Sequence, residues 1–531
     1  MNTLPGHSSV IIVGAGPSGL MMAAQLLRFG IHPVIIDSKT ALSTESRALA
    51  VHARSLEIFR QMGLSDVAVQ EGNIAKRMIL HSDTEEIAKI DLFKLGEGKS
   101  LFPYILILEQ SKTERILLDY LTAQTCPVYW NTKLVDVHQT DKLVNLKILR
   151  NNSEKIISCD WLIAADGASS PVRKSLNIPF SGGTYEHRFF LADLKIKGGV
   201  SSDATRVFLH DDGFTGILPM KDSNYRFIGV LPKALSNSTS LSFDDLRPYL
   251  TYNFGFPVTE ECCNWFSTYR LHHKMAEKFK SQRCFLIGDA AHVHSPVGGQ
   301  GMNTGLQDAY NLAWKLAGVI EKKYPAKILD TYAEERMPVA KMLLKTTDRM
   351  FTIAIGRSWF IKKFRNWILP LLLNGFRKLG LSSSKTFGML SQTALHYRQS
   401  RLSVHHSQAR IIRAGDRLPF LKLYDEKLKQ ETDLHSWCGY AGFTLMVIGY
   451  LSQRDILALA KWIKLSYPFG LSFFYLPFSE RNKHLFEYFE IGENRKKAII
   501  VRPDMHIGYI NDVVDVELLG GYFQEAMGWK N

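Results

Sequence analysis

The turn between the first apolar segment and the first helical segment constrains the fold of this chain more than any other feature. Residues 9–13 are apolar and typical of a strand, and Gly14, Gly16 and Gly19 follow them in the spacing Gly-x-Gly-x-x-Gly. A helical pattern comes next, and a second apolar strand then ends in Asp37. Strand, glycine-rich turn, helix and terminal acid in this order predict a parallel βαβ unit that binds a dinucleotide.

Each residue of this turn is expected to serve the dinucleotide in a different way. Gly14 makes the tight turn, Gly16 admits the pyrophosphate, and Gly19 lets the helix pack on the strand. Ser18 stands in the first turn of the helix, and the carboxylate of Asp37 can reach the ribose hydroxyls. The pattern alone does not choose between NAD and FAD.

A second glycine-rich run, residues 288–316, predicts a cradle for a flat ring. An apolar strand-type segment leads to Asp289, whose position at a strand end suits a hydrogen bond to a sugar or polyol hydroxyl. Gly298, Gly299 and Gly301 then let the backbone approach a ring without an intervening Cβ. The amphipathic helix that follows would point its unpaired N–H groups and positive dipole end at a group that gains negative charge. A reduced flavin is such a group, so this run favours FAD.

The same run carries a family resemblance. The letters GDAAHVHSPVGGQGMNTGLQDAYNLAWKL resemble the flavin motif of the group A flavoprotein aromatic hydroxylases, the para-hydroxybenzoate hydroxylase and phenol hydroxylase superfamily. The segment DGASSPVR, which begins at Asp166, resembles the second fingerprint of that family, associated with FAD and NADPH. Near the end of the chain, VRPDMHIGY resembles the close of the thioredoxin-like C-terminal domain of the phenol hydroxylase branch. The resemblance therefore covers nearly the whole chain.

The resemblance implies a set of cofactor-binding residues. Asp289 would hold the ribityl chain, and residues 296–303 would line the isoalloxazine ring. Arg47 would lie beside the pyrophosphate and ribityl region and is the best candidate for assisting the chemistry, for which no other catalytic residue is assigned. Gln110 would lie near the ribityl chain, and Leu134 would pack a backbone edge on the adenine. The complete predicted set is Gly14, Gly16, Ser18, Gly19, Asp37, Arg47, Gln110, Leu134, Asp166, Asp289, Pro296, Gly299, Met302 and Asn303.

The order of segments predicts an α/β fold with an inserted sheet. Residues 1–177 and 282–400 would form a Rossmann-type FAD-binding domain, the second part of which includes a helical segment. Alternating short strands in residues 178–281 predict an antiparallel sheet that walls the substrate pocket. Residues 401–414 are interpreted as a linker, and residues 415–531 as a thioredoxin-like α/β domain. Five aromatic residues of the inserted sheet are candidates for its core or for the pocket wall: Phe190, Phe214, Tyr225, Phe266 and Tyr269.

The function implied by the resemblance is NAD(P)H-consuming aromatic hydroxylation. In that family NADPH reduces FAD, the reduced flavin takes up O2 as a C4a-hydroperoxide, and an oxygen atom passes to a phenolic or polycyclic aromatic substrate. NADPH is favoured over NADH as the co-substrate. Two alternatives come from other classes. A flavin-dependent halogenase would carry the motif WxWxIP, which this sequence lacks, and a non-catalytic flavoprotein interaction module would not consume NADPH steadily.

Composition and charge restrict the classes of partner and the compartment expected for this protein. The net charge is +14, but Lys and Arg are spread along the chain among Asp and Glu, so nucleic acid is not expected. The six cysteines form no CxxC pair and no zinc spacing, which predicts reduced thiols in the cytoplasm and no metal. No signal peptide or membrane-spanning segment is predicted, whereas the basic and apolar residues between positions 341 and 400 leave peripheral membrane contact open. A homodimer is likewise left open.

Two local patterns are interpreted as structural. His292 and His294 lack a third metal ligand at a known spacing and are assigned to loop structure. Cys438 stands in the sequence Trp-Cys-Gly-Tyr-Ala, where Ala441 takes the place of the second cysteine of a redox motif. Dithiol exchange needs that second cysteine to release a mixed disulfide. The C-terminal domain is therefore predicted to be structural or interfacial.

Overall fold

A computed structural model of the chain describes residues 3–44, 48–196, 200–210, 213–238, 240–252, 260–295, 298–355, 383–467 and 470–529. Two predicted cofactor-binding residues, Arg47 and Pro296, lie outside these ranges. The same is true of residues 356–382, which include most of the basic and apolar segment that left membrane contact open. In the described part of the chain, no helix combines the length and the apolarity needed to cross a bilayer.

A largely parallel sheet forms the nucleotide-binding half of the fold. His7–Val13 lies between Val34–Ile36 and Ser153–Ala164 and runs parallel to both, and Cys284–Leu286 pairs in parallel with the far side of Ser153–Ala164. The continuous apolar runs suit strands that are buried on both faces, and residues 10–13 are at most 5% exposed. Described strands that complete this sheet are Val128–Tyr129, Thr132–Gln139, Val144–Arg150 and Lys280–Ser281.

Two helices pack against each other over this sheet and bring the two glycine-rich turns together. These are Pro17–Arg28, which follows the first turn, and Gly301–Ile320, which follows the second. The remaining helices of this half are Ala53–Gln61, Ser65–Glu71, Leu92–Gly96, Gln110–Ala123, Pro171–Ser175, Asp330–Ile355 and Ser383–Leu390, with short 3-10 turns at Gly288–Ala290 and Ala326–Leu329. A small sheet of Ala50–Val51, Asn73–Ala75 and Ile105–Ile107 joins this half to the next.

The predicted inserted sheet is present and takes in strands from outside residues 178–281. The long strands Phe180–Ile196 and Glu260–Ala276 pair antiparallel, and Asn224–Val230, Gly213–Pro219 and Ala204–His210 continue the antiparallel order. Beyond them, Arg77–Ser82 pairs in parallel with Ala204–His210 and antiparallel with Glu85–Asp91. At the other edge lies His292–Val293, and the helices Phe243–Tyr252 and Lys233–Leu235 complete the unit.

The C-terminal domain has the predicted thioredoxin-like α/β organisation. Its described strands lie in the order Val404–His406, Ile507–Asn511, Lys496–Val501, Phe443–Gly449 and Leu471–Leu476, so residues 401–414 supply an edge strand. A hairpin of Lys422–Asp425 and Gln430–Asp433 precedes the central strand. The helical segments are Leu434–Trp437, Gln453–Ser466, Glu480–Asn482, Lys483–Tyr488, Val516–Gly521 and Tyr522–Ala526.

Buried ion pairs join this domain to the half of the fold that contains the parallel sheet. The guanidinium of Arg502 donates hydrogen bonds of 2.7 and 2.9 Å to the two carboxylate oxygens of Glu335, and Nζ of Lys315 donates one of 2.7 Å to the same group. Nε1 of Trp314 donates to Asp504 over 3.1 Å. None of these side chains is more than 2% exposed. Charges this deeply buried must be paired, so the two domains depend on each other for their charge balance.

Candidate active site

A cleft of about 480 Å³ opens at the carboxyl ends of the parallel strands. Ligands of open α/β sheets bind at this edge, where the strand order changes direction. Residues from three separate sequence motifs meet in its walls. The predicted residues that line the cleft are Gly14, Gly16, Ser18, Asp37, Gln110, Leu134, Asp166, Asp289 and Met302.

The first glycine-rich turn has the geometry that its predicted roles require. Gly14 has φ +106°, and a Cβ there would lie 2.3 Å from the carbonyl oxygen of Ala165. A Cβ on Gly19 would lie 1.9 Å from the carbonyl oxygen of Gly14, because helix and strand touch at this point. At Gly16, by contrast, no described atom lies within 4 Å of such a Cβ, so the backbone there stands open to the cleft.

Ser18 lies between the two glycine-rich turns. A Cβ on Gly288, which has φ +57°, would lie 2.4 Å from its Oγ, and a Cβ on Gly305 would lie 2.3 Å from the same atom. The two helices therefore approach so closely at this position that only glycine fits on the facing backbone. This contact brings both turns to one cleft.

Asp37 is held against the first turn by backbone amides. Its Oδ2 accepts from the N–H of Ala15 at 2.7 Å, and its Oδ1 accepts from the N–H of Lys39 at 2.8 Å. The side chain is 7% exposed and lines the cleft. Because each carboxylate oxygen has two lone pairs, Asp37 can still accept from a ligand hydroxyl.

Asp166 lines the cleft and has one carboxylate oxygen that no described residue satisfies. Its Oδ2 accepts from the N–H of Val172 at 3.0 Å, whereas its Oδ1 is shielded from solvent and has no hydrogen-bond partner in the described part of the chain. Burial raises the pKa of Asp166. An unpaired acceptor in this position is costly, and a donor on a ligand in the cleft would relieve that cost.

Asp289 stands on the one-turn helix Gly288–Ala290. The buried carboxylate of Asp308, which the sequence did not suggest as a site residue, holds this turn in place. Oδ2 of Asp308 accepts from the N–H of Gly288 at 3.1 Å and lies 2.8 Å from Nε2 of His292, while its Oδ1 accepts from Nε of Arg336 at 2.7 Å. Burial alone would raise the pKa of Asp308, but Arg336 and His292 outweigh it and hold the pKa below its usual value.

A sequence signal for Asp308 existed. The polar residues Thr304, Asp308, Asn311 and Lys315 recur on one face of a helix whose other residues are mostly apolar. All four are buried, and polar residues buried in this way need partners. His292, which was assigned to loop structure, is one of these partners.

The second glycine-rich turn is fixed from behind by Asn303. Its Nδ2 donates to the carbonyl oxygens of Gly299 and Ala50, at 2.9 and 2.8 Å, and its Oδ1 accepts from the N–H of His52 and the hydroxyl of Ser55. The side chain is fully buried. The side chain therefore positions the loop, and the place of Asn303 beside the flavin ring stays a prediction.

Gln110 and Leu134 lie at separate places along the cleft. Nε2 of Gln110 donates to Glu114 over 2.8 Å, at the start of the helix Gln110–Ala123. Leu134 belongs to the strand Thr132–Gln139 and lines the cleft beside Thr132 and Lys133. The structure therefore brings both residues to the same cleft as the glycine-rich turns.

A second cavity, of about 310 Å³, continues from the first. The two share Ala48 and the first two residues of the helix Gly301–Ile320, which are Gly301 and Met302. Its walls come mainly from the inserted sheet and are mostly apolar: Met78, Ile105, Ile107, Val207, Phe214, Leu218 and Ile228. The polar side chains among its lining residues are Thr205, Arg206, Arg226, His294, Ser295 and Gln300.

The aromatic candidates of the inserted sheet fall into two groups. Phe214 lines the second cavity. Phe190 and Tyr225 are buried in the sheet's core, and Phe266 and Tyr269 pack against buried clusters of the same unit. Alternation along the strands indicates which residues share a face but not which of those faces meets a cavity.

Comparison with known proteins agrees with this geometry. Residues 7–347 match a family model described as an FAD binding domain, and residues 474–531 match one described as the phenol hydroxylase C-terminal dimerisation domain. The first match covers well over half of the chain.

Two relatives are similar over most of their length. The 6-methylpretetramide 4-monooxygenase of Streptomyces rimosus is 33% identical over 411 residues, which is 75% of this chain and 70% of that protein. The pentachlorophenol 4-monooxygenase of Sphingobium chlorophenolicum is 31% identical over 427 residues, or 79% of this chain and 77% of that protein. These similarities favour a monooxygenase over the halogenase alternative.

Solved structures show the same fold. The chain superimposes on a ternary complex of aklavinone-11 hydroxylase with FAD and aklavinone with a TM-score of 0.82 and 21% identity, over 99% of this chain and all of that one. The flavin-dependent monooxygenase PieE, in complex with FAD and substrate, gives a TM-score of 0.81 and 20% identity over 98% of both chains. With the cleft, the family model and these relatives in agreement, the chain belongs to the group A FAD-dependent aromatic hydroxylases and is a flavin-dependent aromatic monooxygenase.

Proposed function

We propose that this protein hydroxylates a phenolic or polycyclic aromatic compound, with FAD as its cofactor and O2 and NAD(P)H as co-substrates. The observation that carries the proposal is the junction of the two cavities at Gly301 and Met302. A dinucleotide in the polar cleft would reach this junction with its flat ring. An aromatic compound in the apolar cavity would then lie next to that ring.

The residues of the cleft fit FAD. Gly16 leaves room for the pyrophosphate, and Asp37 would accept from the ribose hydroxyls. The unpaired Oδ1 of Asp166 and the carboxylate of Asp289 would accept from the remaining hydroxyl and amide donors. When bound, FAD supplies the redox chemistry that activates O2 for insertion into an aromatic ring.

The contribution of the chain itself is position, electrostatics and exclusion of water. The first N–H groups of the helix Gly301–Ile320 lack partners within the helix, and they lie at the junction where negative charge would be stabilised. The apolar walls of the second cavity keep water from the reacting ring. We retain Arg47 as the candidate that assists near the pyrophosphate and ribityl chain.

The substrate class is proposed from the relatives and the cavity together. The names of the two relatives give 6-methylpretetramide and pentachlorophenol as substrates. A cavity of about 310 Å³ with apolar walls and few polar groups suits a flat ring compound.

The preference for NADPH over NADH, a cytoplasmic location and a homodimer complete the proposal. The described cysteines are all free, as expected in a reducing compartment.

The second family model is described as a dimerisation domain, and large apolar side chains of this domain are exposed: Leu428, Tyr440, Tyr450, Leu457, Leu465 and Phe478. Light scattering of the full chain should give twice the monomer mass, and a monomer at all concentrations would contradict the dimer.

The test of the activity is a screen of phenolic compounds with the purified protein. FAD content, NADPH and NADH oxidation, peroxide release and hydroxylated product are measured in parallel. About one FAD per chain is expected, and for a true substrate the NADPH oxidised should equal the product formed with little peroxide. Bound NAD without flavin, or NADPH oxidation that yields peroxide alone for every compound, would contradict the proposal.

A further inference from the structure

His294 is a polar residue of the second cavity that the proposed chemistry has not used. It follows the strand His292–Val293 and lines the cavity beside Ser295. Its Nδ1 lies 2.7 Å from the carbonyl oxygen of Ser295. A carbonyl oxygen only accepts, so Nδ1 must carry the proton of the neutral ring and Nε2 must carry the lone pair.

The Nε2 atom of His294 is an acceptor without a donor. It is shielded from solvent and makes no hydrogen bond within the described ranges. Buried acceptors are normally paired, and an unpaired one lowers stability. A donor supplied by a ligand in the cavity would therefore be favoured at this atom.

The position of this acceptor is the junction of the two cavities. A Cβ built on Gly301 would lie 3.5 Å from Nε2 of His294, and Gly301 lines both the cleft and the second cavity. A hydroxyl group bonded to Nε2 would thus belong to a ring held at the point where the cofactor ring is proposed to lie.

Burial keeps the ring of His294 neutral. The pKa of His294 is lowered to about 4, chiefly by burial and then by the neighbouring His292, against the opposing effects of the Ser295 carbonyl and of Asp348 on the helix Asp330–Ile355. The other charged side chains that line the cavity are Arg206 and Arg226, of which Arg226 is paired with Asp193. Because burial holds its pKa well below neutral, His294 remains an acceptor at physiological pH.

We propose that Nε2 of His294 accepts a hydrogen bond from a hydroxyl group on the aromatic substrate and so sets which part of the ring faces the cofactor. This rests on the proposed function and adds to it that the substrate is a free phenol, which His294 orients. The methyl ether of the same ring lacks the donor and is discriminated against.

The experiment compares 1-naphthol with 1-methoxynaphthalene as probes of the FAD-loaded protein. Their dissociation constants are measured from the change in flavin absorbance for the wild type, His294→Leu and His294→Gln. The exposed His138 provides a matched control, His138→Leu. Because one hydrogen bond is worth about 0.5–1.5 kcal/mol, the wild type should prefer the phenol by up to roughly tenfold.

In His294→Leu this preference should disappear through weaker binding of 1-naphthol, with the ether unaffected. His294→Gln keeps an acceptor and should restore part of the preference, and His138→Leu should match the wild type. The preference should stay constant between about pH 6 and pH 8, because the ring titrates well below its usual range. If His294 had only a structural role, His294→Leu would bind both probes more weakly to the same extent, and His294→Gln would not restore the preference.

Three results would overturn the proposal. The first is an equal loss of affinity for both probes in His294→Leu. The second is a changed flavin spectrum of His294→Leu without any probe, which would mean that His294 contacts the cofactor. The third is that 1-naphthol does not bind to the wild-type protein. Failure of the proposed function would show separately, as absence of bound FAD or of coupled NADPH oxidation in the wild type.

Discussion

Nε2 of His292 lies 2.8 Å from Oδ2 of Asp308, and this contact ties the strand-end turn of Asp289 to the helix that follows the glycines. Both side chains are at most 2% exposed. Arg336 completes the arrangement from a third element, through the other oxygen of Asp308. A carboxylate outside the cleft walls therefore determines where the residues that line the cleft stand.

Asp308→Asn should lower the free energy of unfolding and weaken FAD binding together. The substitution leaves Arg336 buried without its counter-charge, and breaking a buried pair costs about 3–5 kcal/mol. Urea unfolding of the variant and titration of the apoprotein with FAD measure the two effects. Asp141→Asn, at an exposed position, is the control and should change neither. Wild-type stability in Asp308→Asn would show that Arg336 does not depend on this carboxylate.

Asp289→Ala should weaken FAD binding without affecting the stability of the apoprotein. The side chain is exposed and lines the cleft, and substitutions at exposed positions usually change stability little. In the complex it would leave a ribityl hydroxyl without an acceptor, at a cost of about 1–3 kcal/mol. Equilibrium dialysis of FAD tests the first effect and urea unfolding the second. An unchanged FAD dissociation constant in the folded variant would remove Asp289 from the predicted site.

Cys438→Ser should leave NADPH oxidation and hydroxylation near the wild-type rate. The thiol is 1% exposed, and burial raises its pKa to about 12. The reactive form of a cysteine is the thiolate, and a thiol with so high a pKa is almost entirely protonated near neutral pH. Turnover and FAD content of the variant are measured together. Loss of turnover with FAD content and fold intact would restore a chemical role to the C-terminal domain.

Arg502→Met should destabilise the whole protein, since Glu335 and Asp504 both lose a buried cation and only Lys315 remains to balance the two carboxylates. A loss of about 3–5 kcal/mol is expected, and removal of residues 415–531 should lower stability for the same reason. Adding Glu335→Gln to Arg502→Met should recover part of the loss, because one uncompensated charge is then gone. Urea unfolding of the two single variants and the double variant gives the coupling energy. Strictly additive effects would mean that the pair is not coupled.

The buried pair of Arg502 and Glu335 predicts how the free energy of unfolding depends on pH. Burial alone would raise the pKa of Glu335, but Arg502 and Lys315 outweigh it and hold the pKa well below its usual value. A carboxyl group with a lowered folded-state pKa contributes stability above its unfolded pKa, near 4.3, and this contribution is lost as the pH falls. The wild type should therefore lose stability steeply below about pH 4. Arg502→Met should show a shallower slope in the same denaturation series.

The sequence by itself determined the cofactor-binding architecture, because that information is local. Gly14 is required by the positive φ of the turn itself, and Gly19 by its close approach to Gly14, five residues earlier. Asp37, Asp166 and Asp289 each follow an apolar strand of one parallel sheet, and the carboxyl ends of parallel strands lie at one edge. The resemblance to a family added the chemistry that these local patterns serve.

Only the tertiary structure decided how the polar side chains are used. The side chain of Asn303 turns inward and holds the loop, whereas Nε2 of His294, nearby in the chain, has no hydrogen-bond partner within the described ranges. Helical or strand periodicity indicates which residues share a face, but the element that packs against that face is distant in sequence. Arg336 for Asp308 and Arg502 for Glu335 are such partners, and burial gives these contacts their energy because water no longer competes for the charges.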